Sequence, residues 1–418
     1  MNSGNPTSVT IVGAGLAGLS LALSLRQYSP SIQVSMYELR EPTMSTTGAL
    51  MLSPNALQIL DYLGVYQKVK VQGYEFEKLS YQDSSLATTD TYSMGSQKIF
   101  GYKALRVCRQ VLLKELRATC KDRGIEVAYA RKFSKVVSED ASGVTFEFED
   151  GSQETSSLLI GTDGIYSTVR KYIYPDVIPK YSGMMAVTST ISSSALRTPK
   201  DDGNEHPMPV SVHIPIGAWV MAPQNPDGTE LLVGTQNRHA ELDKAGWAEL
   251  KRDDKKLLSI LTANQKQWPD YVQSAMENIN IRNLGIWPFY VVPYLSTWFS
   301  SKKRVIIMGD AAHAIPPTAG QGASQAFEDV FSFSYLVSKL TAITDLDKVL
   351  ESWQAYRRER VGKVVLLTSK LNNRRLPEAA KAKLSEADFY VEEGKEGQRW
   401  LFDPKIKESI DALIMEFA

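Results

Sequence analysis

Three glycines at positions 13, 15 and 18 stand between a short β-rich run at 8–12 and a helical pattern at 19–27, and a second strand-like run at 32–37 ends in Glu38. That order of strand, glycine turn, helix, strand and acid predicts a βαβ unit of the dinucleotide-binding kind. Gly13 and Gly15 permit the tight turn and the approach of a pyrophosphate, and Gly18 lets helix and strand pack closely. Leu16 and Ala17 open the helix, whose first N–H groups favour a negatively charged group. Glu38, twenty residues after Gly18, is placed to accept ribose hydroxyls. A structural turn with a surface Glu is the plain alternative, and the flanking strand and helix argue against it. The unit predicts a Rossmann-like α/β domain without choosing between NAD and FAD.

A second stretch narrows the choice. Residues 304–329 read as a buried strand, then Asp310 at its end, then the turn Gly320-Gln-Gly322 feeding a helix that begins with Ala323. Asp310 can accept hydrogen bonds from a sugar or polyol, and backbone N–H groups at the helix start can face a partly negative group. A nucleotide with a polyol arm fits that description. His313 lies three residues past Asp310, but no second His or Cys gives metal-ligand spacing, so it is expected to order the Pro316-Pro317 loop.

The segment Leu158-Leu-Ile-Gly-Thr-Asp163-Gly164 is an apolar run ending in a turn, with Ser167 and Arg170 following. With the two stretches above, it resembles the FAD-dependent class A aromatic hydroxylases, and more narrowly the fungal-type salicylate-hydroxylase-like monooxygenases. The three motifs stand in the family's order. The resemblance implies that FAD is bound by Gly13, Gly15, Leu16, Ala17, Gly18, Glu38, Asp310, Gly320, Gly322 and Ala323. It implies further that Ala49, in Gly48-Ala-Leu-Met-Leu-Ser-Pro54-Asn55, meets the flavin through its backbone. The resemblance also implies that Arg109, rather than Arg106, begins a helix near the pyrophosphate, and that Asp163 bridges the pyrophosphate side and the place where nicotinamide coenzyme docks.

The activity so implied is that of a single-component flavoprotein monooxygenase. NAD(P)H reduces FAD, O2 is captured as a flavin hydroperoxide, and one oxygen atom passes to an electron-rich aromatic, indole-like or olefinic small molecule, as in secondary metabolism. NADPH is expected over NADH on the resemblance alone, and no second dinucleotide motif is present, so the coenzyme docks transiently. An aromatic or alkaloid-like compound is the expected partner. The strand starting at Tyr181-Ser-Gly183 lacks the Arg that several fungal relatives carry there. His213 and Gln236, on polar strand faces, are the catalytic candidates instead, with a surface or structural role as the alternative. Trp287, Phe289, Tyr290 and Tyr294 can wall a flat substrate or simply pack a core. A flavin-dependent reductase or dehydrogenase, or a non-enzymatic FAD-binding scaffold, are the competing functions. A halogenase is disfavoured because no Trp-x-Trp pair occurs.

At 418 residues the chain exceeds one hydrophobic core. Alternation and turn signals divide it into an FAD-binding domain at 1–72, 101–175 and 286–375, a substrate-domain excursion at 73–100, an antiparallel-sheet substrate domain at 176–285, and a helical C-terminal extension at 376–418. Lys+Arg and Asp+Glu balance at 47 each, which disfavours nucleic acid and polybasic membrane anchoring. The apolar run near residue 9 has no basic start and is too short to span a bilayer, so stable membrane insertion is not expected. Cys108 and Cys120, on one helix, would sit roughly 18 Å apart, which fits a reducing, cytoplasmic setting. The sequence carries no signal for oligomeric state.

Overall fold

The computed structural model describes residues 5–42, 48–199, 206–341, 346–374, 376 and 381–416. Strands are numbered in chain order: β1 Ser8–Val12, β2 Gln33–Tyr37, β3 Ala49–Leu52, β4 Tyr74–Phe76, β5 Lys78–Gln82, β6 Thr88–Ser93, β7 Ala104–Cys108, β8 Phe133–Glu139, β9 Val144–Phe148, β10 Gln153–Ser156, β11 Leu158–Gly161, β12 Lys180–Ser192, β13 Val210–Ile214, β14 Gly217–Pro223, β15 Glu230–Arg238, β16 Gly285–Val291 and β17 Val305–Ile307.

The strands that read as continuous apolar runs assemble first. A parallel sheet in the order β17-β11-β1-β2 carries the nucleotide half. Val9, Ile11, Leu158, Leu159, Ile160 and Val305–Ile307 are buried because both faces of the sheet are covered. Helix Leu16–Tyr28 packs against helix Gly322–Ser338, both buried along most of their length. The hairpin signal at 149–151 is realised as the turn from β9 to β10 in a three-stranded sheet with β8.

A seven-stranded sheet in the order β16-β12-β15-β14-β13-β5-β6 forms the second domain. It is antiparallel except where β13 meets β5. Alternation decides its two faces. Met185, Val187, Val210, Val212, Trp219, Met221, Leu231 and Val233 pack under helices that supply Leu257, Leu261, Tyr271, Val272, Ala275 and Met276. The alternate residues face the opposite side, where Tyr81 joins a third cluster with Met94, Ala319, Val364 and Leu367. A small sheet β3-β7-β4 stands at the junction of the halves.

Several expected boundaries move. β16 remains paired with β12, so the chain leaves the substrate sheet after Val291 and not near Ile286. Only β5 and β6 of the 73–100 excursion enter that sheet, because β4 pairs with β7. Two helices, Lys244–Arg252 and Asp254–Leu261, follow β15, and the Asp253 side chain caps the second through the Lys256 N–H. β14 went unforeseen; its Ala-Trp-Val-Met-Ala run shows no alternation of polar and apolar residues. The C-terminal extension contains helices Gly394–Phe402 and Ile406–Met415, while its residues 377–380 and 417–418 lie outside the described ones. Both cysteines are free thiols. Among the described residues no helix is long and apolar enough to cross a membrane.

Candidate cofactor site

The glycine turn does three separate jobs. Gly13 holds a φ of +103°, and a Cβ there would meet the Thr162 backbone at 2.7 Å. Its N–H donates to the Tyr37 carbonyl at 2.8 Å, fixing the turn to the end of β2. A Cβ at Gly18 would fall 1.9 Å from the Gly13 carbonyl oxygen and 2.7 Å from Thr162 Oγ1. The helix starting at Leu16 is therefore pressed onto the turn as closely as backbone allows. Gly15 differs from both, for a Cβ there would have nothing within 4 Å.

Gly15 is the N-cap of that helix and offers no side-chain hydrogen bond. The first intrahelical bond runs from the Leu19 N–H to the Gly15 carbonyl, so the N–H groups of Leu16, Ala17 and Gly18 have no helical acceptor. Glu38 folds back over the turn. One carboxylate oxygen accepts from the Ala14 N–H at 2.8 Å and the other from the Arg40 N–H at 2.9 Å. Each oxygen keeps a lone pair for a hydroxyl.

Three other elements meet this turn. Ala17 Cβ lies 3.5 Å from where a Gly309 Cβ would be, which sets Gly309 and Asp310 beside the helix start. Asp310 is exposed and makes no hydrogen bond or ion pair among the described residues. Arg109 opens helix Arg109–Asp122, and its N–H donates to the Gly48 carbonyl at 3.0 Å, next to Ala49. The Arg109 guanidinium is likewise without a partner among the described residues. Gly320, at φ +65°, would place a Cβ 3.9 Å from Met51 Cβ, so its loop faces β3. Helix Gly322–Ser338 starts there with no side-chain cap, leaving N–H groups of Gly322, Ala323 and Ser324 free of helical acceptors. One uncapped helix start thus lies beside Gly309 and Asp310, and the other follows the Gly320 loop that faces β3, whose neighbour Gly48 bonds Arg109.

Asp163 has a local structural part as well. Its carboxylate accepts from Ser167 Oγ at 2.5 Å and from the Thr168 and Val169 N–H groups, and so caps helix Thr168–Ile173. Burial pushes its pKa up, against these hydrogen bonds. Arg170 is buried and donates to the Ala311 and Ile165 carbonyls, tying the Asp163-Gly164 turn to the Asp310 turn. The pair is a brace as well as a candidate contact for coenzyme.

His313 is buried against Trp298 and bonds Asp329 at 2.6 Å, within a network that sequence reading missed. Arg357 bonds Asp329, Glu328 and Gln325, and Arg360 bonds Glu328 twice. Asn55 and Gln321 extend the network to Ser53. Burial alone would raise the Glu328 carboxyl, but the Arg360 and Arg357 guanidiniums outweigh it and hold it at about 2. The network anchors the Gly320-Gln-Gly322 turn to the helix behind it. Adjacent acids inside an otherwise apolar helix, with Arg357 and Arg360 at i,i+3, were the available signal.

The two catalytic candidates lie on the seven-stranded sheet, His213 on β13 and Gln236 on β15. His213 is half-buried beside Tyr81 and bonds Ser211 Oγ at 2.9 Å. Gln236 is exposed and shares a row with Ala186 and the 59% exposed Trp287. Both stand at the Ala218 end of β14, about 20 Å along the strand from Gln224, and it is Gln224 that meets β7, through Arg106 Nη2 at 2.9 Å. The aromatic run divides as well. Phe289 is buried and Tyr290 packs on Tyr181 and Tyr166, while Trp287 and Tyr294 point outward.

Comparison with known proteins places this geometry. Residues 6–368 match a family described as FAD binding domain. The chain is 26% identical over 387 residues to hispidin-3-hydroxylase of Neonothopanus nambi, covering 85% of this chain and 86% of that one. It is 25% identical over 391 residues to 6-methylsalicylate 1-monooxygenase of Aspergillus terreus, covering 87% and 82%. Its fold is similar to that of Klebsiella pneumoniae HpxO, solved with FAD and uric acid, at a TM-score of 0.74 and 21% identity over 98% of this chain and 97% of that one.

Proposed function

The chain belongs to the FAD binding domain family and is a class A flavoprotein monooxygenase, and from that premise we propose that it oxygenates an electron-rich aromatic, indole-like or alkaloid-like small molecule at the expense of NADPH. The observation that supports the reading is the pair of uncapped helix starts at Leu16 and Gly322, the first of them next to Gly309 and Asp310, which would suit a pyrophosphate and a polyol arm.

When bound, FAD supplies the redox chemistry, taking hydride from the nicotinamide coenzyme and activating O2. The protein's residues do the rest. Gly15 admits the pyrophosphate to the N–H groups of Leu16, Ala17 and Gly18, and Arg109 offsets its charge. Glu38 and Asp310 receive ribose and polyol hydroxyls. The start of helix Gly322–Ser338 favours negative charge on the ring it faces. The Tyr166–Tyr290 contact beside the Asp163-Gly164 turn gives a nicotinamide a flat apolar landing close to the flavin side. Free cysteines and balanced charge support a cytoplasmic location.

The test is stoichiometric. Purified holoprotein is screened with aromatic and indole-like compounds for faster NAD(P)H oxidation, and O2 uptake and oxygenated product are then counted against coenzyme. One product per NAD(P)H and O2 is expected. Coenzyme oxidation coupled to reduction of the added compound, with no O2 consumed, would favour a reductase and overturn the proposal. Equal reduction rates with NADH would remove the NADPH preference alone.

A further inference from the structure

Among the described residues five arginines are buried, and four of them have a carboxylate partner or, for Arg170, whose Nε is also unpaired, two carbonyl acceptors. Arg357 and Arg360 pair with Glu328 and Asp329, Arg304 with Asp347 and the Ala141 carbonyl, and Arg170 with two backbone carbonyls. Arg106 is the exception. It is 5% exposed, its only hydrogen bond among the described residues goes to Gln224 Oε1, and its Nε has no acceptor. No carboxylate lies within ion-pair range of it among the described residues. Burial without compensation pushes its guanidinium down to about 10. A cation held out of water in this way is destabilising unless something else neutralises it.

Its position says what that something is. Arg106 lies directly opposite Met51 on β3 and Tyr74 on β4, so the three side chains share one face of the small sheet. On that face Met51 Cβ comes within 3.9 Å of the Gly320 position, in the loop that borders the cofactor space. Gln224 continues the alternation of Val220 and Ala222, on the side of the seven-stranded sheet away from its helical cover. Its amide oxygen is taken by Arg106, which leaves the amide N–H groups without an acceptor among the described residues. Two domains therefore aim a guanidinium and an amide donor at one point beside the flavin side of the substrate sheet. Met51 and Tyr74 lie opposite Arg106 on the small sheet, Cys108 follows two residues along on the same face, and the charge of Glu230 reaches Cys108 but makes no ion pair with Arg106 among the described residues.

We propose that Arg106, with Gln224, receives an anionic group of the substrate, a carboxylate or a phenolate, and so fixes which ring carbon meets the oxygen. This deepens the monooxygenase reading and rests on it. Arg106 is also the guanidinium for which the helix-start pattern gave no role, since that pattern assigned the cofactor contact to Arg109. A bidentate site of this kind favours an anion over its uncharged isostere because the neutral compound leaves the cation unmatched.

The test uses holoenzyme, Arg106→Met and Arg106→Lys. Binding is followed by perturbation of the flavin spectrum with matched probes, 2-hydroxybenzoate against 2-hydroxybenzamide and indole-3-carboxylate against indole-3-carboxamide. For at least one pair the acid is expected to bind about tenfold or more tightly than the amide. That preference disappears in Arg106→Met and is partly kept in Arg106→Lys. FAD affinity stays at the wild-type value, and the ligand-free melting temperature of Arg106→Met is equal or higher, because an unmatched buried charge has gone. Amides binding as well as acids in both pairs, an acid preference that survives in Arg106→Met, or a lower melting temperature or weakened FAD binding in that variant would each overturn the inference. A wild-type protein that purifies without flavin would instead refute the monooxygenase reading beneath it.

Discussion

Two glycines three residues apart should respond to substitution in opposite ways, and the contrast tests whether the turn is built as described. A methyl group at Gly18 would meet the Gly13 carbonyl oxygen at 1.9 Å, where Cβ contacts below 3.0 Å essentially do not occur. Turn and helix must then separate by about 1.1 Å, which also strains the Thr162 Oγ1 hydrogen bond to Gly13 at 2.8 Å. Overpacking of this kind costs about 1–3 kcal/mol. Ala recovers at most ~1 kcal/mol of helix propensity, so Gly18→Ala should lose about 1–2 kcal/mol. At roughly 2–4 °C per kcal/mol, its apoprotein should melt roughly 2–8 °C below wild type. Gly15 has nothing within 4 Å of its missing Cβ and an extended backbone that Val adopts freely. Gly15→Val should therefore melt as apoprotein like wild type, yet bind FAD at least about tenfold more weakly, since the side chain occupies the place of the pyrophosphate. Circular dichroism melts of the apoproteins and fluorescence titration with FAD give the two readouts. Wild-type FAD affinity in Gly15→Val, or wild-type melting in Gly18→Ala, would refute the assignment of the two positions.

Arg109→Ala and Asp310→Ala should each weaken FAD binding by about tenfold or more, from loss of hydrogen bonds to charged groups worth about 1.5–3 kcal/mol, while melting of the apoprotein is unchanged; FAD titration of both variants decides, and two unaltered affinities would mean neither residue touches the cofactor. Glu328→Gln leaves Arg357 and Arg360 short of a buried counter-charge and should destabilise by about 3–5 kcal/mol at neutral pH. Because the folded carboxyl sits at about 2 against an ordinary 4.5, this contribution is present above pH 4.5 and lost as pH falls toward 2. The gap between wild type and variant in denaturant unfolding should narrow across that window, and a gap independent of pH would exclude Glu328 as the titrating group. Gly320→Asp should slow flavin reduction by NAD(P)H in stopped flow, since it puts a carboxylate beside β3 and a strained φ of +65° on a non-glycine residue; normal reduction would place the loop away from the reactive ring.

The nucleotide domain was legible because its rules are local. The spacing of Gly13, Gly15 and Gly18, the acid after the second strand and the strand–Asp310–turn–helix order are read within about thirty residues each, and the structure forms the turn with Glu38 bonded to it, Gly309 beside Ala17, and Gly320 facing β3. Asp163 was legible as a motif but not as a helix cap, since an Asp-Gly turn looks the same in both roles. His213 and Gln236 were chosen because polar residues alternate along their strands. Alternation reports a face and says nothing of how far along the strand the partner domain sits, which is why Gln224, not His213 or Gln236, meets the small sheet.

The sequence by itself determined the family and the cofactor, because the glycine spacing and the order of strand, turn and helix that point to them are local. Only the tertiary structure decided which charged groups are spent and which are free. Glu328, Asp329, Arg357 and Arg360 neutralise one another across a helix pair, whereas Arg106, an arginine like the rest in one dimension, is left unmatched between two domains. Charge compensation depends on distance in space and on burial, and neither quantity can be read from neighbouring residues in a chain.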